Sequence, residues 1–305
     1  MSTFPDGLFQ YGGEPVGSAR YTSPWATHWF VDGISGSDGY DGKKPTSAKL
    51  TIDAAVQLAG VGDVIYIRPK IYVVGTGSGR YDEAVTVDLA QSDLSIIGVK
   101  HPNNNEFGVR LYDTSANYVL DCSAPMLHLE NLGFFASTSA YGSLILRSNG
   151  ATNTQRNDGC TIYGCNFKGG TAGLGVLIEG GQATRVINSV FNHALGTLRI
   201  ATPGVSGYNQ QIVGCTFLDN NGAAPAIHQI SASGAHVYGL LIKDCNFCHV
   251  IPTDTYFIYL GGTLCTGLIA NCFFDDADVV VATDVVLGGT NMRIVGCFDT
   301  AGVLV

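Results

Sequence analysis

The carboxylates are the residues of this chain best suited to chemistry, and their spacing sorts them into three groups. Asp275, Asp276 and Asp278 follow one short aliphatic and aromatic run, and Asp299 is read at the matching corner one period later. Two carboxylates held about 5 to 9.5 Å apart in a groove lined by sugar-stacking aromatics can hydrolyse a glycosidic bond; the alternative for this group is a solvated acidic corner. Glu179 stands alone in the apolar run Val176-Leu177-Ile178-Glu179-Gly180-Gly181, either as an outward strand residue or as a catalytic acid. Asp32, Asp38 and Asp41 share a glycine-rich loop. Such oxygens can hold Ca²⁺, although Asp-Gly pairs also make ordinary turns. A lyase would add a Lys or Arg base to the calcium site, and no basic partner is evident beside these aspartates.

Other chemistries find less support. His28, His101, His128, His193, His228, His236 and His249 are scattered, with no pair at ligand spacing, and neither a Ser-His-Asp arrangement nor a phosphate-binding loop stands out. Of the nine cysteines only Cys245 and Cys248 have C-x-x-C spacing, with no second such pair to complete a metal site. Five of them return at one place in a repeat, which is where the elements that position all these residues become visible.

A phrase recurs every 24 to 33 residues: an aliphatic pair, then Gly, Asn or Asp, then usually Cys, one residue, and Phe. It reads Ile162-Tyr163-Gly164-Cys165-Asn166-Phe167, then Val186-Ile187-Asn188-Ser189-Val190-Phe191, and Ile212-Val213-Gly214-Cys215-Thr216-Phe217. Leu241-Ile242-Lys243-Asp244-Cys245-Asn246-Phe247, Leu268-Ile269-Ala270-Asn271-Cys272-Phe273-Phe274 and Ile294-Val295-Gly296-Cys297-Phe298 continue it. Weaker copies place Leu132 and Val99 in the Cys slot. A period of this length means a solenoid. Short β-branched and aromatic runs ended by Gly, Asn or Asp mean strands rather than helices. Stacked turns about 4.8 Å apart pair every backbone N–H and C=O and set like residues above one another. Cys165, Ser189, Cys215, Cys245, Cys272 and Cys297 then form a reduced, buried small-residue column, and Phe167, Phe191, Phe217, Phe247 and Phe274 an aromatic one. The expected fold is all-β: a right-handed parallel β-helix of about eight turns, its hand following from parallel-crossover chirality.

Composition fits one elongated body. Of 305 residues 46% are hydrophobic and only 13% charged, and the mean hydropathy of +0.20 is high enough that some outer surface is expected to be covered by a partner. The formal charge of −9 and the absence of a Lys/Arg run argue against nucleic acid and against an anionic membrane surface. No apolar stretch reaches the length needed to span a bilayer, and the start lacks the pattern of a secretory signal, so synthesis in a cytoplasm is expected.

The chain is expected to divide into an aromatic-rich arm (1–28), a cap (29–90) and the β-helix (91–305). In the cap, Trp29-Phe30-Val31-Asp32-Gly33 leads through a Gly/Asp loop to a helix over 51–59 opened by Thr51. The strand Asp63-Val64-Ile65-Tyr66-Ile67-Arg68-Pro69-Lys70-Ile71-Tyr72 follows. Ile52, Ala55, Val56 and Ala59 share one helical face, suited to plugging the open end of a solenoid. This stretch resembles the opening of the pectate-lyase-like right-handed β-helix proteins, with Lys70 where their Pro-Gly-x-Tyr turn has Gly. That superfamily includes lyases, hydrolases, phage tailspikes and inert virion proteins, so the resemblance implies fold more than function. The opening Phe4-Pro5-Asp6-Gly7-Leu8-Phe9-Gln10-Tyr11 through Val16 resembles tailed-phage virion proteins.

Phe4, Phe9, Tyr11, Tyr21, Trp25 and Trp29, interleaved with prolines and glycines, either insert into a neighbouring chain or fold back over this chain's own cap. The final Val303, Leu304 and Val305 would leave an apolar last turn that invites a covering partner. These features predict a homotrimer in contact with a major capsid protein or another virion protein, with no obligatory cofactor. Three functions follow: a non-enzymatic virion component that decorates the capsid or forms a short spike; a tailspike that binds or cleaves host polysaccharide; and a free carbohydrate-binding or lyase domain.

Overall fold

The computed structural model describes residues 9–11, 14–16, 25–70, 79–99, 108–113, 118–136, 142–148, 157–169, 175–192, 198–200, 205–218, 227–228, 236–248, 257–260, 264–275, 285–286 and 291–299. Apart from an antiparallel hairpin of Phe9–Tyr11 with Glu14–Val16, its strands fall into three parallel sheets. The chain visits them in a fixed order. Val64–Arg68 lies in sheet I, Tyr81–Asp82 in sheet II and Val85–Val87 in sheet III; Ser95–Gly98, Val109–Asp113 and Leu120–Cys122 repeat the circuit one rung later. The last full circuit is Cys265–Ala270, Phe273–Phe274 and Val285–Val286. Sheet III has eight strands among the described residues, so this is a parallel β-helix of eight turns. Parallel pairing in sheet I begins with His28–Asp32 against Val64–Arg68, at the start of the segment read from sequence as the cap.

Register explains the repeat. Ile65, Ile96, Leu129, Ile162, Val186, Ile212, Ile242 and Ile269 are in-register neighbours on the inner face of sheet I, all buried. The Gly, Asn or Asp that follows each aliphatic pair turns the corner into sheet II with positive φ: Asn131, Gly164, Asn188, Gly214, Asp244, Asn271 and Gly296 lie between 48° and 65°. These residue types tolerate that conformation best. Asn and Gly also complement each other, because a Cβ on Gly214 would strike Oδ1 of Asn188 one rung before it.

Beyond the corner, the small-residue column runs Leu132, Cys165, Ser189, Cys215, Cys245, Cys272 and Cys297, all at most 2% exposed. Each thiol donates to the carbonyl two residues before it, as Cys215 does to Val213 at 3.6 Å and Cys245 to Lys243 at 3.3 Å; Ser189 does the same to Ile187 at 3.0 Å. Burial pushes the Cys165 thiol up to about 12, and the neighbouring Cys215 thiol, with burial, does the same to Cys245. Thiols raised in this way are poor nucleophiles. Two positions on, Phe134, Phe167, Phe191, Phe217, Phe247 and Phe274 stack with centroids 4.8 to 5.1 Å apart and planes within 16°.

One member assigned from sequence does not belong. Val99 packs on the outer face of sheet I with Val64, Tyr66 and Ile97, and the residue in register with Leu132 is Val109. In that turn the chain places residues 100–108 between the sheet I strand and the sheet II strand, so the phrase is split and its second half lies further along.

The cap is built as the pattern implied, with a shorter helix. Ile52–Val56 is helical, and the Thr51 side chain accepts from the Ala54 N–H. Ile52, Ala55, Val56 and Ala59 are buried against the first rungs. Glu83, from the first full turn, accepts from the N–H groups of Ile52 and Asp53 at 3.0 and 2.9 Å and ties the helix to the solenoid. Trp29, read from sequence as a partner-binding aromatic or as one folded back on the cap, is 7% exposed in the same core, its indole N–H donating to Asp63 Oδ2 at 2.9 Å. A residue so enclosed by its own chain cannot insert into a partner. Trp25 is 91% exposed; Phe4, Tyr21 and the terminal Val303, Leu304 and Val305 lie outside the described residues, as do the side chains of Phe9 and Tyr11.

Candidate functional site on the third sheet

The three loop aspartates are occupied in holding the cap. Asp32 Oδ1 accepts from the N–H groups of Ile34 and Ser35, and Oδ2 meets Arg68 Nη1 at 2.6 Å. Burial alone would raise its pKa, but these hydrogen bonds outweigh it and hold the carboxyl below the usual range. Asp38 accepts from Leu50 N, Thr51 N and the Thr51 hydroxyl. Asp41 accepts from the Ser47 hydroxyl at 2.6 Å and from Lys43 N, which keep its pKa low. The calcium site considered from sequence does not assemble: the carboxylates serve separate turns, and no group of three or more metal-ligating side chains converges among the described residues.

The acidic corner is rearranged too. Asp299 is in register with Phe274, so it ends the aromatic column and is 5% exposed, whereas Asp275 is exposed one position beyond that column. Strand alternation sends the two side chains to opposite faces. The repeat misled at this point because the last copy lacks one of the two phenylalanines of Phe273-Phe274, which moves the aspartate into the inner slot. Asp276 and Asp278 lie outside the described residues.

Glu179 is brought into a cluster that spacing did not show. Asp121, Ile145, Leu177 and Arg199 are in-register neighbours on four successive rungs of sheet III, on its outer face. Arg147 and Glu179 directly follow the strands Leu144–Leu146 and Val176–Ile178. Arg147 grips Asp121 with two hydrogen bonds, Nε to Oδ1 at 2.6 Å and Nη2 to Oδ2 at 2.7 Å, a bidentate pair that holds the guanidinium more firmly protonated. Burial raises the Glu179 pKa despite Arg147, and Asp121 adds to the rise. Tyr118 is raised by burial and then by Glu179. Arg199 is lowered by burial, and its buried Nε has no hydrogen-bond partner among the described residues.

A carboxyl group whose pKa is raised by burial near a second carboxylate is the electrostatic pattern of an acid/base pair. Here both oxygens of Asp121 already receive Arg147, so neither is placed to activate water. Ile145 and Leu177, between Asp121 and Arg199 on the outer face, are themselves buried, so the cluster is a covered polar network rather than an open hydrolytic groove. Sequence reading found Glu179 but missed its partners, which lie 20 to 61 residues away and meet only through the rung register.

No protein-family model matches the sequence, and no curated protein matches it. Among solved structures, pectin methylesterase from Aspergillus niger superposes with a TM-score of 0.58 at 15% identity, over 93% of this chain and 89% of its own. Pectate lyase Pel9A gives 0.53 at 10% identity, over 90% and 76%. ORF18 of Geobacillus virus E2 gives 0.39 at 13% identity, over 78% and 53%, too low to bear on function. At these identities the shared property is the architecture: the chain has the parallel β-helix fold of the pectate-lyase-like proteins.

Proposed function

We propose that this chain is a non-enzymatic structural protein of a tailed-phage particle, a homotrimeric β-helix that decorates the capsid or forms a short spike. One observation carries the reading against catalysis. The described carboxylates that sequence nominated for chemistry form no free pair: Asp32, Asp38 and Asp41 hold turns, Asp299 ends the buried aromatic column on the opposite face from exposed Asp275, and the carboxylate near Glu179, Asp121, is gripped by Arg147. The resemblance of residues 4–16 to virion proteins and the weakly charged composition support the particle assignment. Among the described residues no helix is long and apolar enough to cross a membrane. Gold-labelled antibody on purified particles tests it: label over the head supports decoration, label at the tail tip supports a spike, and no label on any particle overturns the proposal. A monomeric mass by sedimentation equilibrium at micromolar concentration would refute the trimer.

A second reading, a tailspike that binds or cleaves host polysaccharide, is favoured by the Tyr118, Glu179 and Arg199 cluster. Release of reducing sugar from host glycan that disappears in Glu179→Gln would establish it over the structural reading. A free lyase or esterase of the kind named for the structural neighbours would instead show calcium-dependent ultraviolet absorbance or methanol release with pectin.

A further inference from the structure

The outer face of sheet I changes character along the solenoid. Over the first three rungs its outward residues Val64, Tyr66, Ile97, His128 and Glu130 are at most 4% exposed, so the single chain already covers them. From the fourth rung that cover stops. Tyr163, Ile187 and Val213 are half-buried in-register neighbours on one outward line. Leu241 and Leu268, half-buried too, pair on the line beside it, past the register irregularity between Val237 and Leu240, and Val295 ends the face 55% exposed. Parallel sheets are stable mainly where both faces are covered, and an apolar stripe of this length marks a contact surface. The charges here are of one sign. Arg185 and Arg293 are exposed and Lys243 is half-buried, meeting Asp244 of the corner at 3.4 Å; neither outward line carries a carboxylate from Thr161 to Val295, although the whole chain stands at −9.

The same chain holds an element with the opposite need. Phe9–Tyr11 and Glu14–Val16 form a two-stranded sheet that pairs with no strand of the solenoid among the described residues. An isolated hairpin is marginal in water unless it packs on an apolar surface. It lies in an arm, residues 1–24, that carries Phe4, Leu8, Phe9, Tyr11 and Tyr21, and whose first 19 residues hold Asp6 and Glu14 but no Lys or Arg. An apolar, acidic segment complements an apolar, cationic face. Extended, these 24 residues reach roughly 80 Å, against about 34 Å for eight rungs spaced about 4.8 Å apart, so the arm is long enough to reach a neighbouring body.

We propose that the outer face of sheet I from Thr161 to Val295 is the docking surface for the N-terminal arm of a second copy of this chain, its hairpin lying against Tyr163, Ile187 and Val213 and its acidic residues toward Arg185 and Lys243. The occupant is another copy because the single chain covers the first three rungs of this face and leaves the rest open. Each copy gives one arm and receives one, a heterologous contact that closes under three-fold symmetry. The inference rests on the homotrimer proposed above and assigns the face through which it assembles.

The test is photo-cross-linking of the full chain with p-benzoylphenylalanine in place of Phe9, assembled from an equal mixture of ¹⁴N- and ¹⁵N-labelled protein and read by mass spectrometry of the joined peptides. Cross-links to peptides containing Ile187, Val213 or Leu241 are expected, with mixed-isotope pairs showing that they join two copies. Val213→Glu and Arg185→Glu should each weaken assembly roughly tenfold in sedimentation equilibrium and deplete the cross-link, while Asn192→Glu on the outer face of sheet II should change neither. Circular dichroism shows that each variant folds, and exposed Arg185→Glu serves where Val213→Glu does not. A monomeric mass for the unsubstituted chain removes the trimer and this docking with it. A trimer whose cross-links join only peptides of one copy, fall on sheets II or III, or are absent overturns the docking alone, as does assembly indifferent to both sheet I variants.

Discussion

Phe217→Ala should be among the most damaging single substitutions in this chain, and its cost can be worked from the aromatic column. Phe217 is 2% exposed and lies between Phe191, 4.8 Å away with planes 10° apart, and Phe247, 4.9 Å away with planes 5° apart. Truncating a buried Phe in a core that cannot collapse costs about 3 to 5 kcal/mol. Here collapse is resisted from both sides, because the backbone rungs are fixed by hydrogen bonds along the axis. Each stacked pair lost adds about 0.5 to 1.5 kcal/mol. Phe134 provides the internal control. It stacks on Phe167 at 5.1 Å, but its neighbour in the preceding rung is Leu111, so Phe134→Ala loses one aromatic pair rather than two. The expected result is that Phe217→Ala exceeds Phe134→Ala by about one pair, 0.5 to 1.5 kcal/mol, in urea unfolding followed by circular dichroism with unchanged m-values. Equal losses at the two sites, or a loss below about 2 kcal/mol at Phe217, would show that the column is a coincidence of register rather than a source of stability.

Further predictions address the corners and the charged face. Ala183 has φ of 55° and is exposed, so Ala183→Gly should stabilise by about 1 kcal/mol, read as a raised Tm; a lowered Tm would refute strain at that corner. Gly214→Ala should destabilise by about 1 to 2 kcal/mol from its φ of 64° alone. The Cβ also meets Asn188, so Asn188→Ala in the same chain should recover part of the loss; strict additivity would refute the contact. Because burial raises the folded-state pKa of Glu179, it favours folding at acid pH, and that contribution is lost as pH rises through the raised pKa. Glu179→Gln should therefore leave Tm unchanged near about pH 4 and raise it at neutral pH, and a variant less stable at neutral pH would show that the Arg147 contact outweighs burial. Cys245→Ser should be tolerated better than Cys245→Ala in thermal melts, because Ser189 shows a hydroxyl serving the same carbonyl contact.

Much of this fold was legible because a solenoid writes its three-dimensional register into one dimension. Residues stacked at one position must share size and polarity, so Cys165, Cys215, Cys245, Cys272 and Cys297 announced a column before any strand was placed. The same logic explains where reading from sequence stopped. Val99 was misplaced because an insertion separates the two halves of its turn, and Asp299 was misplaced because its turn lacks one phenylalanine; a one-residue slip moves a side chain from the surface to the core. The phrase reports inward positions, which are constrained to repeat. Outward positions such as Asp121, Arg147 and Arg199, or Gln182, Tyr208 and Tyr238, vary from rung to rung and leave no period. On a β-helix the outer face is where partners and ligands are met, so the repetition that discloses the architecture is silent about function. Function becomes visible only after the register is known and outward residues can be read down the axis, across rungs, instead of along the chain.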